Sequence, residues 1–519
     1  MRSRSVPQSH HDHDHHAPAA GRPEALDTAV PDGGRALRWL AGDHHVHTQY
    51  SADGVYRVID QARHARAYGL DWLVITDHGG DEHSRIGVDA VHPEIVAARA
   101  ELRDLLIFQG LEWNIPNAEH GTVFVSPGPN EVAVLKEFEQ TYDGSQMPAT
   151  HTAEQNEAMA VAGIAFLGEQ VRQRHVDAAL MLANHPSHRG IDSPHEIRDW
   201  RDADPSVAIG MEGAPGHQAG GIPKPHGFGG ARGYYYLNPT AASFPGYPLE
   251  AYRSWGGFDW MTSTVGGMWD SLLAEGRPWW ITANSDSHAV YLDNAEPGPG
   301  SDFAANGRNN DPVYAPRPTI DGDFWPGFYS RTHVGAVEFG YRAVMDGLRA
   351  GRVWVDHGGL VDSIDARVRV TGGSPRSGAV LGGTLTARRG TPVELALEIE
   401  LPVTPNWAQF IPRLARVDLI LGPVTGPVAD RDTFTAPQTR VVTSFEVGPG
   451  ARKLSVRFDL GPVDQPYYVR LRGTDGNRTQ PGLMGADIDP YGPALDVDGD
   501  QDPWTDLWFY ANPIWVLPE

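Results

Sequence analysis

Over the first two thirds of the chain, short apolar runs alternate with amphipathic stretches. "DWLVIT" (71–76) is a continuous apolar run with the length of a buried strand. Before it, Val55, Ile59 and Ala62 recur at helical spacing, and Gly69 is placed to end that helix. "LLIFQG" (105–110), "ALMLAN" (179–184), "VAIGME" (207–212) and "WWITAN" (279–284) are further candidate strands. Tyr341, Val344, Met345 and Leu348 mark one helix face, followed by Gly351 and the strand-like "RVWVD". Repeated strand–helix alternation predicts an α/β fold with a parallel sheet or barrel.

Two regions break this pattern. Residues 213–330 are rich in Gly, Pro, Trp and Tyr, as in "GFGGARGYYYLNPTAASFPGYP". They read as an insertion that either shapes a pocket or covers the core. After about 362 the period becomes two: Val393, Leu395, Leu397 and Ile399 alternate, as do Val417 with Leu419, and Leu454, Val456 with Phe458. Antiparallel strands follow, and a separate β-sandwich is expected over 362–519, closed by "LWFYANPIWVLPE".

Composition narrows the chemistry. The 519 residues are 40% hydrophobic and 21% charged, with a formal net charge of −24. That balance disfavours an extended nucleic-acid surface, which needs clustered Lys and Arg. It leaves a small-molecule substrate as the expected partner. No apolar run is long enough for a membrane span. With no cysteine, thiolate nucleophiles and cysteine-ligated zinc are excluded. Any metal must be held by His, Asp and Glu. The start, "MRSRSVPQSHHDHDHHAPAA", has no apolar core after its basic residues, so a cytoplasmic protein is expected. Its "HHDHDHH" (10–16) reads as part of a disordered His-rich tail over 1–35, and otherwise as a loose metal-collecting arm. "DIDPYGPALDVDGDQD" (487–502) lacks the glutamate and helices of an EF-hand and reads as a solvated acidic loop.

"GDHHVHTQYSADG" (42–54) concentrates metal-ligating groups. On a strand, His45 and His47 project together with Asp43, and His44 faces the other way. Two imidazoles on one face can chelate one ion, with Asp43 placed to fix an imidazole. The apolar runs add to the set. "VITDHGG" ends with Asp77 and His78, "FQGLEWN" with Glu112, "MLANHPS" with Asn184 and His185, and "WITANSDSH" with Asp286 and His288. Each places a ligand-type residue just past a strand's C-terminal end, where active sites of α/β barrels assemble.

The ordered series "DHHVHT…SADG", "TDHG", "GLE", "NHP" and "SDSH" resembles the PHP (polymerase and histidinol phosphatase) superfamily over roughly 40–360. The tail "FYSRTHV…AVMDGLRAGRVWV" and the late "NPIWV" are similar to its CehA/McbA-like branch. The resemblance implies a distorted (β/α)7 barrel over 36–361, interrupted at 213–330 and followed by the sandwich. It further implies two or three divalent ions, among Mn, Fe and Zn. Carried over by motif, His45, His47, Glu112 and Asp286 would hold the first ion. Glu112 would bridge to a second, held with His120 of "AEHGTVFV" and His185. Asp53, His78 and His288 would hold a third. Here Ala52 intervenes between Ser51 and Asp53, where many relatives have the aspartate directly after the serine. His83, His188, His195, His217 and His226 match no ligand motif and are expected at the surface or behind the ligands. Arg189, following "NHPSH", is the candidate grip for an anionic group.

A carboxylate-bridged pair of ions activates water without a Ser or Cys nucleophile. The catalytic set is then Glu112, Asp286, His288 and Arg189, with His288, His188 or an aspartate as the acid. Phosphoester hydrolysis, of a phosphomonoester or a nucleotide or short oligonucleotide phosphate, is the first functional reading. Carbamate, amide or ester hydrolysis is the second. A non-catalytic metal-binding module is the third.

Overall fold

The computed structural model describes residues 37–236, 238–477, 492–499 and 501–519. The His-rich tail, residues 487–491 and Asp500 lie outside the described residues.

The apolar runs are strands: β1 (Arg38–Val46), β2 (Trp72–Ile75), β3 (Leu106–Asn114), β4 (His120–Val125), β5 (Ala179–Ala183), β6 (Ala208–Ala214) and β7 (Trp280–Ala283). They neighbour one another in chain order. Strands β2, β5, β6 and β7 are buried along their whole length. Water is excluded from both faces, so their sequences run apolar instead of alternating. The helix before β2 is Val58–Ala67 and buries Val58, Ala62 and Ala65; of the expected Val55, Ile59 and Ala62, Ala62 is buried on it, Ile59 is half-buried, and Val55 is buried but precedes the helix. It ends where Leu70 N donates to Ala65 O and Gly69 takes a φ of 84°.

The sheet is mixed, not parallel throughout. β1–β2, β2–β3, β5–β6 and β6–β7 are parallel. β3–β4 and β4–β5 are antiparallel. Only residues 115–119 separate β3 from β4, too few for a crossover helix, so the chain turns back on itself. The reversal brings the start of β4 to the end of the sheet where the parallel strands finish.

A hairpin, β8 (Ala295–Gly298) with β9 (Asn310–Tyr314), follows β7. Then β10 (Ser330–Ala336) and β11 (Val353–His357) extend the sheet antiparallel beyond β1. The outer edge of β7 is turned back toward them. Thr332 Oγ1 on β10 accepts from Ala283 N at 2.9 Å and donates to Ala283 O at 2.6 Å. The sheet is thus curled, and one mouth collects the ends of β1, β2, β3, β5, β6 and β7.

Beyond 362, β12 (Ser363–Val370), β13 (Ala379–Val380), β15 (Pro392–Glu400) and β18 (Lys453–Pro462) form a sheet in the order β13-β12-β15-β18. Strands β14 (Thr384–Ala387), β16 (Arg416–Pro423), β17 (Arg440–Glu446), β19 (Tyr467–Thr474), β20 (Trp508–Ala511) and β21 (Ile514–Pro518) belong to the large sheet. Leu395, Leu397 and Ile399 of β15 share one core with Val417 and Leu419 of β16 and Leu471 of β19.

The chain does not break at 361/362. β20 pairs antiparallel with β11, and Trp508, Tyr510 and Trp515 sit in the core shared with β2–β7. Buried Arg470 donates to Asp270 at 2.6 and 2.8 Å. The closing segment is two strands, β20 and β21, and not one. The expected insertion 213–330 is likewise two pieces, because β7 runs through it. The first piece buries Tyr252, Trp255, Trp260 and Trp269 in the main core. Nor is the late acidic stretch wholly solvated: Asp496 is buried and accepts from Ser254 Oγ and Gly257 N, each at 2.8 Å. Among the described residues, no helix is long and apolar enough to cross a membrane.

Candidate metal centre

His45 and His47 leave the end of β1 with their Nε2 atoms 3.0 Å apart. Asp286 Oδ1 lies 3.1 Å from each, and Glu112 oxygens lie at 3.2 and 3.3 Å. The far nitrogens are fixed from behind. His45 Nδ1 donates to Glu212 Oε1 at 2.6 Å, and His47 Nδ1 lies 2.9 Å from Ser51 Oγ. Ser51 Oγ donates onward to Asp77 Oδ1 at 2.8 Å. Asp43 does not fix an imidazole, as its position had suggested. Its oxygens accept from the backbone N of His45 and of Ser285, each at 3.0 Å, tying β1 to the end of β7. His44 does not join His45 and His47 on Glu112 and Asp286; its nitrogens reach Thr122 on β4 and Thr282 on β7.

Glu112 is the hub. Five imidazoles converge on its carboxylate: His45 and His47 as above, His78 Nδ1 at 2.9 Å, His120 Nδ1 at 3.0 Å and His185 Nε2 at 3.3 Å. Asn184 Nδ2 donates to it at 3.1 Å. His120 reaches the group because β4 runs antiparallel and begins at the mouth. On the other side, His78 Nε2 faces Asp53 Oδ1 and His288 Nε2, both at 3.3 Å, and His288 Nε2 is 3.5 Å from Asp53 Oδ1. All nine candidate ligands therefore meet in one chain of contacts.

Three residues at the centre hold left-handed backbone: Asp286 (φ 48°), His185 (φ 30°) and His217 (φ 54°). Such conformations cost non-glycine residues on the order of 1–3 kcal/mol each and cluster at functional sites. Here the strain is held by buried bonds, including Glu212 Oε2 accepting from His185 N at 2.7 Å.

Electrostatically the donors are crowded in a way that calls for cations. Burial alone would raise the Glu112 carboxyl, but His120 and His45 hold it well below the usual carboxylate range. Burial opposes Asp286 likewise, and His45 and His217 hold it well below. Burial, aided by His47, pushes His288 down to about 4, leaving a neutral ring whose Nδ1 donates to Asp286 O at 2.9 Å and whose Nε2 lone pair faces His78 and Asp53. Ring nitrogens facing one another at 3.0–3.3 Å repel unless a proton or a cation lies between them. Donors about 2.1 Å from a shared ion sit roughly 3.0–3.4 Å apart. The buried Asp286 Oδ1 has no hydrogen-bond partner. The residues fit divalent ions, and their all-N,O chemistry suits Mn, Fe or Zn.

Arg189 lies at the rim. Its half-exposed side chain sits 3.4 Å from Glu119 Oε1, and Glu119 Oε2 is 3.7 Å from His185 Nδ1. His83 is buried against Glu139, His195 pairs with Asp432, and His226 is exposed. His188 Nε2 bonds to Tyr234 O at 3.0 Å, and burial beside His185 pushes it down to about 3. A carbonyl only accepts, so Nε2 carries the ring's hydrogen and Nδ1 is bare. The residue the motifs passed over is His217. Its Nε2 is 2.9 Å from Asp286 Oδ2, and its Nδ1 hydrogen-bonds Asp323. Asp323 Oδ2 also accepts from His288 N at 2.6 Å. Glu212 was within reach of the sequence, since it ends the predicted strand "VAIGME" as the other ligands end theirs. His217 lies as far past the end of β6 as His78 lies past β2, so its place after a strand was a signal that could have found it, whereas Asp323 directly follows no strand.

Residues 43–177 match the PHP domain. The PHP match takes in His45, His47, Asp53, His78, Glu112 and His120, and ends before His185, Asp286 and His288. No curated protein sequence matches the chain. Among the solved structures that resemble it, two are distant in sequence. One is a two-domain protein from Bacteroides vulgatus containing a predicted PHP-like metal-dependent phosphoesterase, at 14% identity over 92% of this chain and 99% of that one, with a TM-score of 0.31. The other is an Endonuclease Q complex with a 27-mer duplex carrying an abasic lesion, at 16% identity over 36% of this chain and 46% of that one, with a TM-score of 0.19.

Proposed function

We propose that this protein is a metal-dependent hydrolase acting on a small phosphoester, a phosphomonoester or a short nucleotide phosphate. The observation that carries the reading is the convergence of His45, His47, His78, His120 and His185 on the single buried carboxylate of Glu112. In this reading the curled strands β1–β7 are the distorted (β/α)7 barrel of the PHP superfamily, and the strands after 362 are a β-sandwich fused to it.

His45 Nε2, His47 Nε2, Asp286 Oδ1 and Glu112 would hold one ion. Glu112 Oε1, His120 Nδ1 and His185 Nε2 would hold a second, and Asp53, His78 Nε2 and His288 Nε2 a third. Bound divalent ions supply Lewis acidity, lowering the pKa of water and offsetting charge that develops on the substrate. Glu212 and Ser51 keep the first two imidazoles oriented, so no reorganisation is needed when charge moves. His217 lies between the carboxylates of Asp286 and Asp323 through both ring nitrogens, and so holds a proton at Nε2 beside the centre. Arg189 at the rim meets the anionic end of the substrate.

A second reading, carbamate, amide or ester hydrolysis in the manner of the CehA/McbA branch, is favoured by one observation. The Tyr234 ring lies 4.6 Å from His217, with Phe228 at 5.7 Å and Tyr236 at 6.4 Å from Tyr234, and the last two are exposed. This aromatic wall suits an uncharged ring. Assay of the metal-loaded protein against phosphomonoesters, phosphodiesters, aryl carbamates and aryl esters decides between them. Turnover confined to the uncharged esters would replace the first reading by the second, and no turnover of any would remove both.

A further inference from the structure

Asp53 is the most exposed of the candidate ligands, its side chain 62% accessible, and it sits on an irregular loop lengthened by Ala52. Two sets of bonds hold this loop. At its base, Asp77 accepts from Thr48 N at 2.6 Å, Thr48 Oγ1 at 2.8 Å and Ser51 Oγ at 2.8 Å. The tip is held from far along the chain, by Asn309. This residue is 5% exposed and lies between the short helix Phe303–Asn306 and β9. Its Nδ2 donates to three carbonyls around Asp53: Ser51 O at 3.3 Å, Ala52 O at 3.0 Å and Gly54 O at 3.0 Å. Its backbone is locked to the same loop, with Asn309 N donating to Gln49 O at 2.7 Å and Gln49 Nε2 donating to Asn309 O at 2.7 Å. The turn is tight: a Cβ on Gly54 would lie 1.9 Å from Thr48 O, so only glycine fits there.

We infer that Asn309 is the positioning residue of the third cation site: by gathering the carbonyls of Ser51, Ala52 and Gly54 it holds Asp53 toward His78 and His288. The inference rests on the cation-centre reading above. It follows from which ligands the loop carries. Asp53 contacts His78 and His288, whereas His45, His47, His120, His185, Asp286 and Glu112 are held by strand ends, by Glu212 and Asn184, and by Ser51 Oγ, which is fixed at the base of the loop by Asp77 and not by Asn309. Releasing the tip therefore loosens one site and leaves two. The tip carbonyls would lose their buried donor and turn to water, carrying the carboxylate with them. The excursion after β7 thus supplies what the lengthened loop cannot supply for itself.

The test is titration of metal-free full-length protein with Mn2+ alone, following free Mn2+ by electron paramagnetic resonance and bound Mn2+ by elemental analysis. The wild type should take up three equivalents. Asn309→Ala should keep two at unchanged affinity and bind the third about 10- to 100-fold more weakly, the usual cost of removing a group that orients a ligand. Asp53→Asn should give the same pattern. If Asn309→Ala fails to fold by circular dichroism, Asn309→Ser, which keeps the backbone bonds to Gln49 and one donor, is read by the same criteria. Three equivalents of wild-type affinity in a folded Asn309 variant would overturn the inference, as would equal weakening of all three. A wild type that binds only two ions overturns it while leaving the hydrolase reading intact. A wild type that binds fewer than two removes that reading as well.

Discussion

Glu212→Gln tests whether the centre is organised from behind. The Glu212 carboxylate is wholly buried and makes two bonds of opposite reach: Oε1 accepts from His45 Nδ1 at 2.6 Å, and Oε2 accepts from His185 N at 2.7 Å. Glutamine matches it in size but has one acceptor and one donor. Whichever way the amide is turned, an N–H meets an N–H. If the amide oxygen serves His185, the His45 ring loses the partner that fixes its tautomer. If it serves His45, the φ 30° turn at His185 loses the bond that holds it. A hydrogen bond to a charged group contributes about 1.5–3 kcal/mol, and 1.4 kcal/mol is about tenfold in affinity. The variant should therefore bind the ion at either the His45 site or the His185 site roughly 10- to 100-fold more weakly. Calorimetric titration of the metal-free variant with Zn2+ or Mn2+ measures this directly. Wild-type affinity for every equivalent, in a protein with unchanged melting temperature, would refute the claim that Glu212 orients these ligands.

Other consequences follow from the same geometry. Glu112→Gln removes the charge on which five imidazoles converge, so turnover should vanish and metal content should fall by at least one equivalent on elemental analysis. Arg189→Ala should lower kcat/KM for phosphoesters by roughly 10- to 100-fold, the loss of a contact worth about 1.5–3 kcal/mol, and leave uncharged esters nearly unchanged; equal losses on both would assign Arg189 to the fold. Burial, with Asp496 nearby, raises Asp506 from 3.8 to about 7. A raised acid means the folded state holds the proton more tightly, so this contribution is complete below about pH 4 and is lost as pH rises through 7. Asp506→Asn, able to keep the bond from Trp508 Nε1, should melt with less pH dependence across that window and higher than wild type at pH 8 in scanning fluorimetry. A chain ended at 362 should aggregate, because it strips β20 from β11 and leaves Asp270 buried without Arg470; a monodisperse, metal-binding fragment on gel filtration would contradict this.

Much of the centre was written locally. A ligand placed directly after a buried apolar run needs only the strand and its direction, so His78, Glu112, His185, Asp286 and His288 could be read from runs that end in them. The period-two pattern of β15 likewise needs no partner to declare which side chains are buried. What the chain could not state alone are facts that depend on which strands become neighbours. The curl of the sheet brings Glu212 behind His45 and Thr282 against His44, and the antiparallel return of β4 puts His120 at the mouth. The long excursions are the extreme case. His217, Asp323 and Asn309 carry no periodic signal, because their partners lie between about 35 and 260 residues away in sequence. The join across 362 has the same origin. A change of period marks where strand character changes, but whether two such regions part or share a sheet is decided by an edge, and β11 offers its edge to β20.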